Sequence, residues 1–457
     1  MSRFSDSGGR RLLRRCWLLP ARLGLARLGL ALMLLLLAGQ AQAVLPIEQW
    51  RTSGGVKVLF VKADGIPMLD VRVRFDAGDR LDPPGQSGLA GLTAALLDAG
   101  AGDLDEEGIA DAFALLGAQR SAGSGDDSAS VGLRTLTSEP ELTEAVALLT
   151  QMISRPRFDE AVIEREKRRM VLALGNALKR PHVLLGRAFA QEIYPEHPYG
   201  VLTTAASIEA ISAADLRAFH RRHYVPERAS IAMIGAIDRA RAEAVAEQLM
   251  AALPAGQAGN EVPPVTVPKA TEVRIAHPAT QSHIAIGAPL IARGDPDYFP
   301  LLVANYVLGG GSFVSRLYKQ VRDDRGLAYS VSSGFSLRAQ PGPFSISLQT
   351  RREKTLEALE LVRQVLAEFV AAGPTEQEVQ AARDNLAGGF ALRMDSNGKI
   401  LGLLSAIGYH DLPLDYLETW ADRVRAVTLA QVRDAVRRRL DPAAMVTVIV
   451  GEAGSTS

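Results

Sequence analysis

The sequence is poor in cysteine and in aromatic residues. Its 457 residues include one cysteine, Cys16, and aromatic residues make up 5% of the chain. Cys16 lies in a leader that we expect to be removed, so the mature chain would have no disulfide and no cysteine nucleophile or ligand. Sparse aromatic residues argue against a protein that binds nucleic acid by base stacking. The apolar fraction of 47% is ample for the cores of two or three domains.

Residues 1–43 have the pattern of a secretory signal peptide. A basic segment precedes an apolar run at residues 28–38, and the small-residue site Ala41-Gln42-Ala43 follows it. The run is short for a transmembrane helix, and an uncleaved anchor is the alternative. We therefore expect an exported protein, located in the periplasm.

Removal of this leader changes the net charge. The whole chain has 51 basic and 51 acidic residues, and the leader holds seven Arg and one Asp. The mature chain thus carries 44 basic and 50 acidic residues, a net charge of −6. A mildly acidic chain is not expected to bind nucleic acid.

A Pro- and Gly-rich linker, residues 253–270, separates an N-terminal domain, residues 44–252, from a C-terminal domain, residues 271–457. The two domains share a pattern at an offset of 216 residues: a helix cap, a proline turn, a β-branched strand and a closing glycine. The matching pairs are Ser212 with Thr428, Pro226 with Pro442, residues 229–234 with 445–450, and Gly235 with Gly451. The pattern indicates an ancient duplication.

The periodicity within each domain predicts an α+β fold with two homologous domains, each a mainly antiparallel sheet packed with helices. Strands at residues 56–61 and 69–75 have the spacing of a hairpin around Asp64-Gly65. The other predicted elements are helices at residues 141–153, 161–178, 298–308 and 354–371, and strands at residues 283–287 and 344–348.

Four stretches carry distinctive motifs. They are Asp-Ala-Gly-Asp-Arg at 76–80 with Gly-Leu-Ala at 88–90, Tyr-Pro-Glu-His-Pro-Tyr-Gly at 194–200, the glycine-containing segment 308–330, and residues 409–416. Together they resemble the insulinase/pitrilysin-type zinc peptidases, and the processing peptidases and the core subunits of respiratory complexes are the nearest groups. The resemblance runs over essentially the whole mature chain.

The resemblance implies that the metal site of this family is missing here. An active member carries His-x-x-Glu-His on one helix and a distant glutamate on a later helix. The corresponding positions in this chain are Gly91, Ala94, Ala95 and Ala173. None of these residues has a side-chain donor atom, so we expect no zinc in this chain.

A second pair of histidines has metal-like spacing. His220 and His223 lie three residues apart at the end of a predicted helix, with Arg221 and Arg222 between them. Two arginines would repel a cation, so we interpret the pair as part of a solvated helix terminus.

The resemblance also assigns roles to residues of the second domain. Arg322 and Tyr329 correspond to an Arg and a Tyr that reach the metal centre in the family, where the guanidinium would hold a substrate carbonyl and the phenol would donate to the oxyanion. The alternative is that Arg322 pairs with Asp323 or Asp324 and that Tyr329 is half-buried core.

The glycine run Gly309, Gly310 and Gly311, followed by Ser312, is a candidate substrate-binding loop. By the resemblance it would allow close backbone approach by a substrate or by a partner subunit. The alternative is a flexible connector.

Two functional hypotheses follow. In the first, the chain is inactive alone and is the non-catalytic subunit of a heterodimeric zinc metallopeptidase. It would supply Arg322 and Tyr329 in trans to a His-x-x-Glu-His-bearing paralogous subunit, which would hold the zinc and share a peptide substrate. In the second, it is a peptide-binding or scaffold protein with no role in proteolysis.

Overall fold

Two β-sheets organise the chain. The computed structural model describes residues 46–256 and 262–451, so the predicted signal peptide and part of the predicted linker lie outside the described residues. No helix within these described ranges is long and apolar enough to cross a lipid bilayer.

The first sheet has six strands in the order β1-β2-β8-β3-β7-β6. Its pairs are antiparallel except β2 with β8, which run parallel. These strands, and the small β4–β5 ribbon beside them, are β1 Glu48–Arg51, β2 Lys57–Lys62, β3 Met68–Phe75, β4 Gly100–Ala101, β5 Leu104–Asp105, β6 Gln119–Ser124, β7 Ala129–Leu136 and β8 Ala229–Gly235.

The second sheet repeats this arrangement with five strands in the order β11-β12-β10-β13-β9. Again one pair, β9 with β13, is parallel and the others are antiparallel. The strands are β9 Glu272–Ile275, β10 Gln281–Pro289, β11 Ala328–Phe335, β12 Pro343–Arg351 and β13 Val446–Val450. The predicted fold class, two homologous α+β domains with mainly antiparallel sheets, is confirmed.

The predicted hairpin around Asp64-Gly65 is wrong. Strands β2 and β3 are consecutive in the chain, but β8 lies between them and pairs with both. Every residue of β8 from Ser230 to Gly235 is buried. A buried apolar strand from the end of the domain thus takes the central position that a local hairpin would have occupied.

The helices lie close to their predicted positions, and several recur at the 216-residue offset. Ser212 and Thr428 each cap a helix through a reciprocal capping box, with Asp215 and Gln431 respectively. The helices of the first half are α1 Leu89–Ala95, α2 Glu106–Leu115, α3 Glu141–Ser154, α4 Glu160–Ala177, α5 Pro181–Ile193, α6 Ala205–Glu209, α7 Ala213–His223 and α8 Arg239–Ala251. Those of the second half are α9 Tyr298–Asn305, α10 Thr355–Ala372, α11 Glu376–Gly388, α12 Asn397–Tyr409, α13 Tyr416–Arg425 and α14 Leu429–Arg439.

Helices α5 and α12 are exchanged between the two halves. Helix α5 packs on β10 and β13 of the second sheet, where Phe189 joins a buried cluster with Val446 and Val448. Helix α12 starts 216 residues later and packs on β2, β3 and β8 of the first sheet. A Cβ placed on Gly408 would lie 2.9 Å from Cδ1 of Leu59, so α12 approaches the sheet closely. Each sheet is therefore covered by a helix from the other half.

Candidate functional site

Helix α1 is the helix that would carry the metal ligands in an active member of the family. It begins after Gly88, whose φ of +106° favours glycine. Ala94 is buried in the domain, whereas Ala95 is exposed and Gly91 is partly exposed. A Cβ on Gly91 would lie 3.6 Å from Oγ of Ser124, so this position faces the end of strand β6.

A carboxylate that sequence reasoning did not single out holds the start of α1. Asp82 accepts hydrogen bonds from the backbone N–H groups of Gly88, at 2.7 Å, and Ala90, at 2.8 Å. Desolvation of this carboxyl raises the pKa of Asp82 to about 6, although the backbone donors act in the opposite direction. Helix α1 is thus retained as a capped structural element.

The raised pKa of Asp82 predicts a pH-dependent stability. The folded chain holds a proton on this group that the unfolded chain releases near pH 4, so the stabilisation is complete below pH 4 and is lost as pH rises through about 6. The shift corresponds to at most about 3 kcal/mol, and partial exposure reduces it. We expect urea unfolding of the Asp82→Asn variant between pH 4 and pH 7 to lack this component.

The matched control is Asp64→Asn, because Asp64 lies exposed in a turn. It should follow the parent chain at every pH. A pH dependence of the Asp82→Asn variant identical to that of the parent would contradict the assignment.

Ala173, the predicted counterpart of the distant glutamate, lies exposed on helix α4. Its methyl group offers no donor atom to a cation. Within residues 46–256 and 262–451, no group of three or more His, Cys, Asp or Glu side chains is arranged to hold a metal ion.

The interpretation of His220 and His223 as a solvated helix end is wrong, because both side chains are buried, with 6% and 4% exposure. His220 Nε2 lies 2.7 Å from the carbonyl oxygen of Ile153, and His223 Nδ1 lies 3.0 Å from Nη1 of Arg228. Burial, together with Arg228, lowers the pKa of His223 to about 4. The pair packs helix α7 against its neighbours.

Arg322 and Tyr329 lie side by side at the surface of the second half. Arg322 is in a π-helical turn, Tyr318–Asp323, and its Cζ lies 5.6 Å from the ring centre of Tyr329 and 4.7 Å from that of Tyr318. Tyr329, at the start of β11, is 73% exposed. The alternative of a half-buried core tyrosine is therefore wrong.

The expected pairing of Arg322 with its acidic neighbours is also absent. In the described part of the chain, no carboxylate lies within ion-pair distance of its guanidinium, and Asp323 and Asp324 are both exposed. The cation is held only over two tyrosine rings, an arrangement worth about 0.5–1 kcal/mol at an exposed site. Its guanidinium makes no hydrogen bond to another side chain or to a carbonyl among the described residues.

The glycine run is part of the packed domain, so the flexible-connector alternative is wrong. Residues Tyr306–Gly310 form a second π-helical turn. A Cβ on Gly309 would lie 2.4 Å from the backbone N of Ser333, so the close approach that requires glycine is made by strand β11 of this same chain. Gly310 and Ser312 are exposed, and their role in substrate binding stays a prediction.

Apolar side chains surround this exposed segment. Phe313 is 70% exposed and packs edge-on against the ring of Tyr318, with 5.0 Å between ring centres. Val314 is exposed beside it. The surface from Phe313 to Tyr329 therefore combines aromatic area with a guanidinium that has no carboxylate partner among the described residues.

Sequence reasoning missed a hub that joins two of the motif stretches. Tyr199 donates its hydroxyl proton to Asp127 Oδ1 at 2.5 Å, and Tyr409 donates to the carbonyl oxygen of Asp127 at 3.0 Å. The backbone N–H of Ala339 donates to Asp127 Oδ2 at 2.8 Å. The only sequence signal was an Asp-Asp pair in a turn, which is common in loops.

These features define a peptidase-like α+β protein whose metal-site helix is intact in shape but has no ligands. Residues 57–201 match the family described as "Insulinase (Peptidase family M16)", and residues 210–386 match the one described as "Peptidase M16 inactive domain". The chain belongs to the M16 peptidase family and is an inactive-type member of it.

Relatives of this chain carry both kinds of description. A crystal structure of a peptidase M16 inactive domain from Pseudomonas fluorescens is similar with a TM-score of 0.86 and 36% identity, over 90% of this chain and 99% of that one. A "Non-peptidase homolog" from Helicobacter pylori is 26% identical over 84% of this chain and 88% of its own length. An "Uncharacterized zinc protease" from Mycobacterium leprae is 25% identical over 88% and 90%.

Proposed function

We propose that this chain is the non-catalytic subunit of a heterodimeric zinc metallopeptidase. The observation that carries the proposal is the contrast between two surfaces. Gly91, Ala94 and Ala95 offer no ligand, whereas Tyr329 is exposed, Arg322 beside it is partly exposed, and no carboxylate of the described chain neutralises the guanidinium. A paralogous partner with His-x-x-Glu-His would supply the zinc and the water that attacks the peptide.

The side chains of Arg322 and Tyr329 have the chemistry that such a partner would need. A guanidinium can donate charge-assisted hydrogen bonds to a substrate carbonyl oxygen and so fix the peptide. A phenol can donate one hydrogen bond to the oxyanion that forms when water attacks. Apolar area at Phe313 and Val314 beside them would contact the substrate or the partner subunit.

A peptide could bind this chain along strand β6. This strand is the last of the first sheet, and in the described chain only β7 pairs with it. Its free edge can add an extended peptide by main-chain hydrogen bonds. Its end at Ser124 lies beside Gly91, so such a peptide would pass the degenerate metal helix.

The proposal places both subunits outside the cytoplasm. The leader at residues 1–43 has the pattern of a signal peptide, so we propose a periplasmic enzyme whose partner is also exported.

The proposal is tested by reconstitution of the two chains. The mature chain, residues 44–457, is purified alone and mixed with an exported paralogue that carries His-x-x-Glu-His. Alone it should contain no stoichiometric zinc by elemental analysis and should cleave no quenched fluorescent peptide. The mixture should run as a dimer by light scattering and should cleave the peptides. Zinc-dependent hydrolysis by the chain alone would overturn the proposal.

The second candidate function is peptide binding or scaffolding without a role in proteolysis. The free edge of β6 favours it, because strand addition needs no metal. In that case the paralogue would cleave peptides equally well without this chain, and changes at Arg322 and Tyr329 would have no effect on the mixture.

A further inference from the structure

A charged pocket of about 380 Å³ lies where the two halves of the described chain meet. Arg74 of strand β3 and the β6–β7 turn contribute from the first half. Arg293, Arg338 and His410, the last of these directly after α12, contribute from the second. Three guanidinium groups therefore line one cavity.

The carboxylates of the pocket are already occupied. Asp126 pairs with Nη2 of Arg338 at 2.8 Å. Asp127 accepts from Tyr199 and from the backbone of Ala339, and its carboxylate also lies 3.4 Å from Nε of Arg80. Neither acid forms an ion pair with Arg74 or Arg293 among the described residues, although the charge of Asp127 raises the pKa of Arg74.

The two remaining arginines, Arg74 and Arg293, have one side-chain acceptor between them among the described residues. Arg293 makes no side-chain hydrogen bond or ion pair within the described residues, and its Nε is buried. Arg74 donates from Nε to Ser128 Oγ at 2.9 Å, and its Cζ lies 4.8 Å from the ring centre of Tyr409. Desolvation lowers the pKa of Arg74, and the neighbouring Arg293 and Arg72 lower it further, whereas Tyr409 and Asp127 act in the opposite direction. Two like charges are thus held together in a partly dry site.

The net charge of the pocket is opposite and equal to the charge of one carboxylate. Its lining carries Arg74, Arg293 and Arg338 against Asp126 and Asp127, three positive charges and two negative, for a net charge of +1. Burial, with Arg293 and Arg74, lowers the pKa of His410 to about 3, so His410 adds no charge at neutral pH. The two negative charges of a phosphate would exceed the net charge of +1 in the pocket.

We propose that this pocket binds a carboxylate group of the peptide ligand through Arg293 and Arg74. The inference rests on the peptide-binding part of the proposed function and adds a chemical preference to it. Ser124 lines the pocket and also faces Gly91, so a ligand on the edge of β6 could place an acidic group here. Both an acidic side chain and a C-terminal carboxylate offer the required chemistry.

Small probes test the pocket without a peptide. The mature chain is titrated calorimetrically at low salt with four compounds: N-acetylglutamate N-methylamide, N-acetylalanine, N-acetylglutamine N-methylamide and inorganic phosphate. At least one of the two carboxylates should bind, and which one does so distinguishes a side chain from a chain terminus. The neutral glutamine compound should not bind. Equal binding of the neutral compound, tighter binding of phosphate, or no carboxylate binding at millimolar concentration would overturn the inference.

Two pocket variants and one control locate the binding. Arg293→Gln and Arg74→Gln should each weaken carboxylate binding by roughly tenfold to a hundredfold, the scale of one charged hydrogen bond. Arg437→Gln, which changes an exposed arginine on α14, should have no effect. Circular dichroism checks that each variant is folded. If one of the two arginine variants does not fold, the other still tests the pocket.

The same titrations with labelled decapeptides separate this inference from the proposed function. Binding of small carboxylates without binding of any peptide would support the pocket and contradict peptide binding. Binding of peptides that is insensitive to Arg293→Gln, to Arg74→Gln and to replacement of the carboxylate by an amide would overturn the pocket and leave peptide binding intact.

Discussion

Tyr329→Phe is expected to lower the kcat of the reconstituted heterodimer by about ten- to a thousandfold, the scale of one lost oxyanion donor. The phenylalanine ring keeps the contact with Arg322, whose Cζ lies 5.6 Å from the ring centre, so only the hydroxyl is lost. Because the hydroxyl would act on the transition state, KM should change much less than kcat. Steady-state kinetics of the mixture on one peptide measures both.

The matched control for this variant is Ser330→Ala. Ser330 is the next residue of β11 and is also exposed, but it should have no part in the oxyanion contact. Light scattering shows whether each variant still forms the dimer. An unchanged kcat for Tyr329→Phe in an intact dimer would show that this chain has no catalytic role in trans.

Gly309→Ala is expected to destabilise the second half strongly. The added methyl group would lie 2.4 Å from the backbone N and 2.6 Å from Oγ of Ser333. Backbone cannot move aside as a flexible side chain can, so the π-helical turn and β11 must separate. Overpacking of this kind costs typically about 1–3 kcal/mol and sometimes more. The free energy of unfolding in urea measures the loss.

Gly334→Ala is the control for Gly309→Ala, because Gly334 lies on β11, the strand that Gly309 contacts, and a Cβ there meets no atom within 4 Å. It should change the free energy of unfolding by less than about 0.5 kcal/mol. If both variants were equally stable, the turn at Gly309 would be able to move away from β11 at little cost. That result would favour a close contact of Gly309 with a substrate over a role of this glycine in packing.

Local patterns explain how much of the fold the sequence predicts. Alternating and helical periodicities located the strands and helices, and Ser212 and Thr428 marked two helix starts at one offset. The pairing of strands was not local. Strand β8 is more than 150 residues from β2 along the chain but lies next to it in the sheet, and no nearby turn signals that.

In the candidate site, too, the residues of a local motif are predictable from the sequence, whereas residues that only the fold brings together are not. Gly91, Ala94 and Ala95 were identified because a motif with fixed spacing exists for comparison. The pocket of Arg74, Arg293 and Arg338 has no such spacing, because its arginines come from segments of the chain far apart in sequence. Burial of His220 and His223 was missed for a related reason. Their polar sequence neighbours do not indicate which side of the helix faces the core.

The exchange of helices α5 and α12 bears on the origin of the duplication. A chain with one half alone would leave the face of its sheet open and the apolar side of its helix, with residues such as Phe189, exposed to water. Two such chains would cover each other's apolar surfaces if each packed one helix against the sheet of the other. If the two halves arose by duplication, as the 216-residue repeat indicates, a one-domain ancestor would have needed a dimer with exchanged helices, and fusion of two copies would have made that contact intramolecular. In the chain described here, the exchanged helices join the two halves of one polypeptide.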